Sequence, residues 1–133
     1  MKHCLDSCFL IDILDEEPKA ILKLKELEET NTEFIVPTLV VFETAIGCFI
    51  EPRKNRFSVF KRLLNSKNIQ VKSFEEKLAI TAAKIQADLH KLGLLNPVLD
   101  LLIAVTALQE DAVLLTKNVD HFENIPGLTI QTW

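Results

Sequence analysis

Asn96-Pro97-Val98-Leu99-Asp100-Leu101-Leu102-Ile103-Ala104-Val105-Thr106-Ala107-Leu108 is the stretch around which the rest of the chain is arranged. Asn96 reads as an N-cap and Pro97 as the first helical residue, since Asn accepts a bond from a free backbone N–H and Pro has no N–H to orphan. From Val98 to Leu108 only Asp100 and Thr106 interrupt the apolar character, and a helix apolar all round belongs in the interior. Asp100 is then a carboxylate in the first turn of a core helix, where an unpaired charge costs several kcal/mol. The positive end of the helix contributes only about 0.3–1 kcal/mol at typical sites. Either the first turn opens onto a solvent cleft, or a cation holds the charge.

The totals set the class. A chain of 133 residues makes one domain, residues 1–133, able to bury about two-thirds of its unfolded surface without staples. With 48 % hydrophobic and 26 % charged residues, the composition is that of a well-packed globule. Cys4, Cys8 and Cys48 have no metal-finger spacing, and their odd number argues against a disulfide framework; they read as buried thiols in a reducing compartment. No run approaches the roughly 20 apolar residues that cross a bilayer, and the N-terminus has no signal-peptide layout, so a cytoplasmic protein without a membrane role is expected. The net charge of −4 gives no general affinity for nucleic acid, but its distribution is uneven. Asp12 to Glu33 holds eight acids against three lysines; Glu51 to Lys67 holds six bases, Arg53, Lys54, Arg56, Lys61, Arg62 and Lys67, against one acid. Arg53, Lys54, Arg56, Lys61 and Arg62 are the candidates for following a nucleic-acid phosphate track, with a solvated face as the plainer account.

Along the chain, strand-like runs at His3–Asp6, Phe34–Val36, Ile69–Val71, Ala112–Leu115 and Leu128–Ile130 alternate with helical ones. The helices are expected at Phe9–Leu14, Lys19–Glu29, Leu39–Ile50 (capped by Thr38), Arg53–Leu64, Phe74–Leu92 (closed by Gly93) and the core helix above, with a turn or short helix within Asn118–Ile125. This alternation calls for an α/β three-layer sandwich: a mainly parallel central sheet of four to five strands flanked by helices. In such sheets ligands sit at the carboxyl ends of strands where the order reverses. Asp6 and Thr116 fall at strand ends.

Glu43 is a second anomaly. Its helical neighbours Leu39, Val40, Ile46 and Gly47 are all apolar or small. Asp6, Glu43 and Asp100 share one conflict between residue type and setting, which a common acidic pocket explains better than three separate accidents. Carboxylates without convergent His or Cys suit Mg²⁺ or Mn²⁺ rather than zinc. The histidines do not compete: His3 starts a strand, His90 ends a polar helix, and His121 is isolated. No nucleophile elbow, P-loop or dinucleotide glycine pattern is present.

These residues carry a resemblance. Leu5-Asp6-Ser7-Cys8-Phe9-Leu10-Ile11-Asp12 resembles the opening signature of PIN-domain nucleases, and Val41-Phe42-Glu43-Thr44-Ala45-Ile46-Gly47 their central Glu motif. Leu99-Asp100-Leu101-Leu102-Ile103-Ala104, with Leu115-Thr116-Lys117-Asn118-Val119-Asp120-His121-Phe122 and Ile125-Pro126-Gly127-Leu128, is similar to their C-terminal half, and most of all to the VapC-type toxins of toxin–antitoxin pairs. The resemblance implies a PIN-like fold and a Mg²⁺- or Mn²⁺-dependent endoribonuclease. Asp6 and Asp100 would be metal ligands, Glu43 a third acid acting directly or through water, and Thr116 a residue orienting the site, with Ser7 and Asn118 in support. It also implies a homodimer and inhibition by a cognate antitoxin.

Two departures qualify it. Cys8 stands where relatives often carry Asn, and Asn118 where many carry the fourth acid. Asp120, two residues on, either joins Asp6, Glu43 and Asp100 in the catalytic set or is a surface acid. The alternatives are a catalytically weak or inactive module that binds RNA or a partner, and an aspartyl-phosphate phosphotransferase built on Asp6, which would need a second Asp and a Lys that are not in evidence. Asp12 either faces solvent or supports the site indirectly, Phe57 and Phe60 suit core or interface better than base stacking, and Trp133 reads as packing.

Overall fold

The computed structural model describes all 133 residues. In chain order the elements are β1 (Lys2–Leu5), α1 (Ser7–Leu14), α2 (Pro18–Glu29), β2 (Glu33–Pro37), α3 (Thr38–Ile50), α4 (Arg56–Leu64), β3 (Ile69–Lys72), α5 (Glu76–Lys91), α6 (Val98–Gln109), β4 (Val113–Leu115), α7 (Val119–Phe122) and β5 (Ile130–Gln131). One 3₁₀ turn lies at Arg53–Asn55. The strands form a single sheet in the order β3-β2-β1-β4-β5, and every pairing is parallel. The expected α/β architecture is therefore met, with five strands.

Burial explains the pairing. Cys4-Leu5, Phe34-Ile35-Val36 and Leu114-Leu115 are all buried, the continuous apolar pattern of strands covered on both faces. Cys4 lies opposite Ile35 on one side and Leu114 on the other. The chain leaves β1 for β2 in one direction and returns to β4 in the other. The order reverses at β1 and β4, and a crevice opens above their carboxyl ends. Asp6 and Thr116 are the residues that follow those two strands.

Helix α6 packs against β1, β2 and β4 and against α3 and α5. Leu101 and Ile103 to Ala107 are buried, whereas Val98 is 64 % exposed. The first turn of α6 therefore reaches solvent at Val98, while the Asp100 side chain stays largely covered at 14 % exposure. Thr106 turns its hydroxyl back to the Leu102 carbonyl at 2.9 Å, so it sits in the core without an orphan.

Several local expectations need correction. Asn96 is not the N-cap of α6: Pro97 holds that position with no side-chain cap, and Asn96 instead sends its Nδ2 2.6 Å to the His121 carbonyl. The bond uses the amide donor, and the Oδ1 that a cap would use is left buried without a partner. Thr38 likewise does not cap α3, since Pro37 is the N-cap and has no side chain to bond. The basic segment is not one helix from Arg53, because Lys54 and Asn55 take φ values of 55° and 53° and α4 starts only at Arg56. Arg56 itself is buried, which removes it from the phosphate-track candidates. Its guanidinium lies 3.1 Å from Asp15 and reaches the carbonyls of Gly47 and Glu51 at 3.5 and 3.4 Å, closing the end of α3. Gly93 ends α5 as expected, at φ +73° with its N–H on the His90 carbonyl.

The C-terminus is pinned. Trp133 meets the Phe9 ring edge-on at 4.9 Å, and its Nε1 donates to Asp12 at 3.1 Å. Lys117 binds the same Asp12 oxygen at 2.6 Å and lies 4.9 Å over the indole. Asp12 thus tethers Lys117, the residue next to Thr116, and does not simply face solvent.

Candidate active site

Asp6, Ser7, Glu43, Asp100, Asn118 and His121 line one open notch of about 500 Å³ above the reversal of strand order, together with Pro97, Val98 and Leu99. Four elements meet there. Asp6 ends β1 and caps α1, Glu43 projects from α3, Asp100 from the first turn of α6, and Asn118 and His121 come from the segment after β4. The three acids that the sequence singled out are thus brought together.

Asp6 is held most firmly. It is buried, its Oδ1 accepts from the Ser7 amide at 2.8 Å, and its Oδ2 accepts from the Thr116 hydroxyl at 2.7 Å. The Asn118 amide donates in turn to Thr116 Oγ1 at 3.0 Å. Cys8, which stands where relatives often carry Asn, approaches Asp6 Oδ2 at 3.5 Å and Thr116 Oγ1 at 3.6 Å and accepts from the Lys117 amide. Burial first, and then the Asp6 charge, push its thiol up to about 11, so it contributes a neutral, weak S–H donor.

Glu43 and Asp100 are electrostatically unsatisfied. Burial raises the Glu43 pKa, the Asp6 charge raises it further, and Asp100 adds to the effect, with the Ser7 hydroxyl offsetting part. One Glu43 oxygen, Oε1, is buried without a hydrogen-bond partner. Asp100 is also raised, by burial and then by Asp6, against an easing contribution from His121. No Lys or Arg lines the notch. The three carboxylates stand apart rather than closed at ligand distance on one point. The donor set, hard oxygens with one orphaned atom and no Lys or Arg among them, fits a divalent cation such as Mg²⁺ or Mn²⁺.

Other candidates fall elsewhere. Asp120 is exposed on α7 and does not line the notch. Arg53 and Lys54 are exposed but face acids, Arg53 at 3.4 Å from Asp15 and 3.3 Å from Glu51, and Lys54 at 4.0 Å from Glu16. Lys61 and Arg62 are exposed on α4. Phe60 is fully buried, and Phe57 stacks on Phe49 with centroids 4.7 Å apart. His121, read from sequence as isolated, is the residue that was missed: its Nδ1 lies 2.8 Å from Asp100 Oδ2. Nothing in a single histidine twenty-one positions downstream signals that contact; its place one residue before the core Phe122 is the only hint.

Comparison with known proteins bears on the fold and the family. The chain is 25 % identical over 133 residues to the ribonuclease VapC2 of Rickettsia felis, covering 100 % of this chain and 98 % of that protein. It is 30 % identical over 124 residues to the ribonuclease VapC1 of Methanocaldococcus jannaschii, covering 93 % of this chain and 81 % of the relative. Its fold superimposes on the crystal structure of VapBC2 from Rickettsia felis bound to a promoter DNA fragment with a TM-score of 0.86, at 24 % identity, covering 100 % of this chain and 99 % of that one. The PIN domain model matches residues 3–128, nearly the whole molecule with all three acids inside it, and the chain belongs to the PIN-domain family.

Proposed function

We propose that this protein is a divalent-metal-dependent endoribonuclease that serves as the toxin of a toxin–antitoxin pair. The observation that carries the reading is the meeting of Asp6, Glu43 and Asp100 in one open notch that no Lys or Arg lines, with His121, beside Asp100, as the one lining residue of basic type. Asp6 and Asp100 would hold Mg²⁺ or Mn²⁺, with Glu43 acting directly or through water. When bound, such an ion supplies charge neutralisation at a phosphodiester and lowers the pKa of water.

The chain's own groups do the rest. The Ser7 amide and the Thr116 hydroxyl fix both oxygens of Asp6, so its orientation costs nothing further when substrate arrives. Glu43, with its pKa raised and Oε1 unpartnered, is suited to take a proton from the attacking water. Asn118 offers an amide at the rim for a phosphate oxygen. Lys61 and Arg62, exposed on α4, are the remaining candidates to follow the RNA backbone.

Support for an antitoxin comes from the fold's likeness to proteins solved as toxin–antitoxin complexes and from the surface. Phe42, Ile46, Phe49 and Ile50 form a strip along α3 at helical spacing, with Phe49 63 % and Ile50 74 % exposed, and Phe57 extends it. An apolar strip of this kind facing water marks a protein contact; antitoxin binding and the homodimer implied by the family both draw on such a surface. No helix is long and apolar enough to cross a membrane.

Incubating the protein with labelled RNA and Mn²⁺ or Mg²⁺ tests the reading. Cleavage that requires the ion and is lost in Asp100→Asn is expected. RNA binding without cleavage under every ion would overturn it in favour of a binding module.

A further inference from the structure

We infer that His121 is a positioning residue for Asp100, held in place by Asn96, and that this side-chain clamp sets the divalent-ion affinity of the notch. The inference rests on the metal-dependent reading above and adds a residue pair to it. Asn96 is buried and lies four positions before Asp100; its Nδ2 donates at 2.6 Å to the backbone carbonyl of His121. His121 Nδ1 in turn lies 2.8 Å from Asp100 Oδ2. The chain from Asn96 to Asp100 closes the ring, so the one-turn helix α7 is bolted across the first turn of α6. Phe122, fully buried, seats α7 from below.

The chemistry gives this ring a direction. An ionised carboxylate only accepts hydrogen bonds, so Nδ1 carries the proton, whichever state Nε2 is in. The bond engages Oδ2 alone and restrains the rotation of the carboxylate, leaving Oδ1 without a side-chain partner. Asp100 has no other side-chain partner to do this, unlike Asp6, which is held at both oxygens. A ligating carboxylate that is itself hydrogen-bonded binds metal better, and losing such a partner typically weakens affinity about 10- to 100-fold.

The test is calorimetric titration of Mn²⁺ into the metal-free, full-length protein, with RNA cleavage at saturating Mn²⁺ as a second readout. His121→Ala is expected to weaken Mn²⁺ binding about 10- to 100-fold while leaving the thermal midpoint of the metal-free protein in place, because the side chain is half exposed. His121→Asn, whose amide donates from nearly the same position as Nδ1, is expected to restore most of the affinity. Asn96→Ala is expected to weaken binding less, and to add nothing in the His121→Ala background. Wild-type affinity in His121→Ala, with Asp100→Ala losing the ion, would overturn the positioning role alone. Equal loss in His121→Ala and His121→Asn would overturn it by making the imidazole itself a ligand. Wild-type affinity in Asp100→Ala would overturn both this role and the metal-dependent reading.

Discussion

Thr116 Oγ1 donates a 2.7 Å hydrogen bond to Asp6 Oδ2, joining the residues that follow two neighbouring parallel strands, β1 and β4. Both side chains are buried. The bond ties the site to the sheet: the register that pairs Leu5 with Leu115 also sets Asp6 beside Thr116. Replacing Thr116 by Val keeps the shape and removes the hydroxyl, leaving Asp6 Oδ2 and the Asn118 amide short of a partner. A loss of about 1–3 kcal/mol in denaturant unfolding is expected. Cleavage should fall more in kcat than in KM, because the carboxylate loses its orientation. Unchanged kinetics would show that Asp6 is positioned by other contacts.

Glu43→Gln should stabilise the metal-free protein while abolishing cleavage. The side chain sits among like charges with Oε1 unpartnered, so neutralising it removes repulsion from Asp6 and Asp100. A rise in thermal midpoint in the presence of a chelator, together with loss of activity, is the expected pair of results.

The pH dependence follows from the direction of the shifts. Glu43 and Asp100 have folded-state pKa values raised above the ordinary 4.5 and 3.8. Between the ordinary and raised values the folded protein binds more protons than the unfolded chain, so these two groups make stability fall as pH rises through that window. Their penalty is absent below the ordinary values and complete above the raised ones. The stability gained by Glu43→Gln, measured by urea unfolding in chelator, should therefore grow from pH 4 upward and then level off. Saturating Mn²⁺ should reverse its sign at neutral pH, since the wild type then gains ligand stabilisation that the variant lacks.

Arg56 and the pair Lys61 and Arg62 should separate folding from RNA binding. Arg56 is buried against Asp15 and two carbonyls at the end of α3. Arg56→Ala should cost about 1–3 kcal/mol in unfolding, the range for losing hydrogen bonds to a charged group. Lys61→Glu with Arg62→Glu should leave the unfolding midpoint nearly unchanged, as surface substitutions do. In an RNA-binding titration, the same double variant should weaken affinity and flatten its salt dependence.

Trp133→Ala should destabilise by about 2–4 kcal/mol, from loss of the edge-on contact with Phe9, the hydrogen bond to Asp12 and the lysine above the ring. Trp133→Phe should recover part of this, because the ring contact survives and only the indole donor is lost. Chemical unfolding of the three proteins checks the order.

How much of this was readable from the chain differs by element. Asp6, Glu43 and Asp100 announced themselves because each sets a charge in apolar surroundings, a conflict visible without coordinates. The strand alternation carried the parallel sheet, since covered strands have only apolar positions to show. What stayed hidden depends on contacts between segments far apart in sequence. Asn96 beside Pro97 has the local form of a cap, yet its amide is drawn to a carbonyl twenty-five residues on. His121 carries no periodic signal because a one-turn helix has no period. Arg56 looked like its basic neighbours, and only the left-handed residues Lys54 and Asn55, which turn the chain just before it, send it inward. Asp120 shows the reverse case: its charge suggested membership of the site, and the path of α7 leaves it in solvent.

The most direct measurement is the anomalous difference map of a crystal of the wild-type protein soaked in Mn²⁺. The account predicts a single strong peak in the notch, within bonding distance of Asp6 and Asp100 and close to Glu43, that vanishes in a crystal of Asp100→Asn. No peak between these carboxylates at a Mn²⁺ concentration that supports RNA cleavage would contradict it.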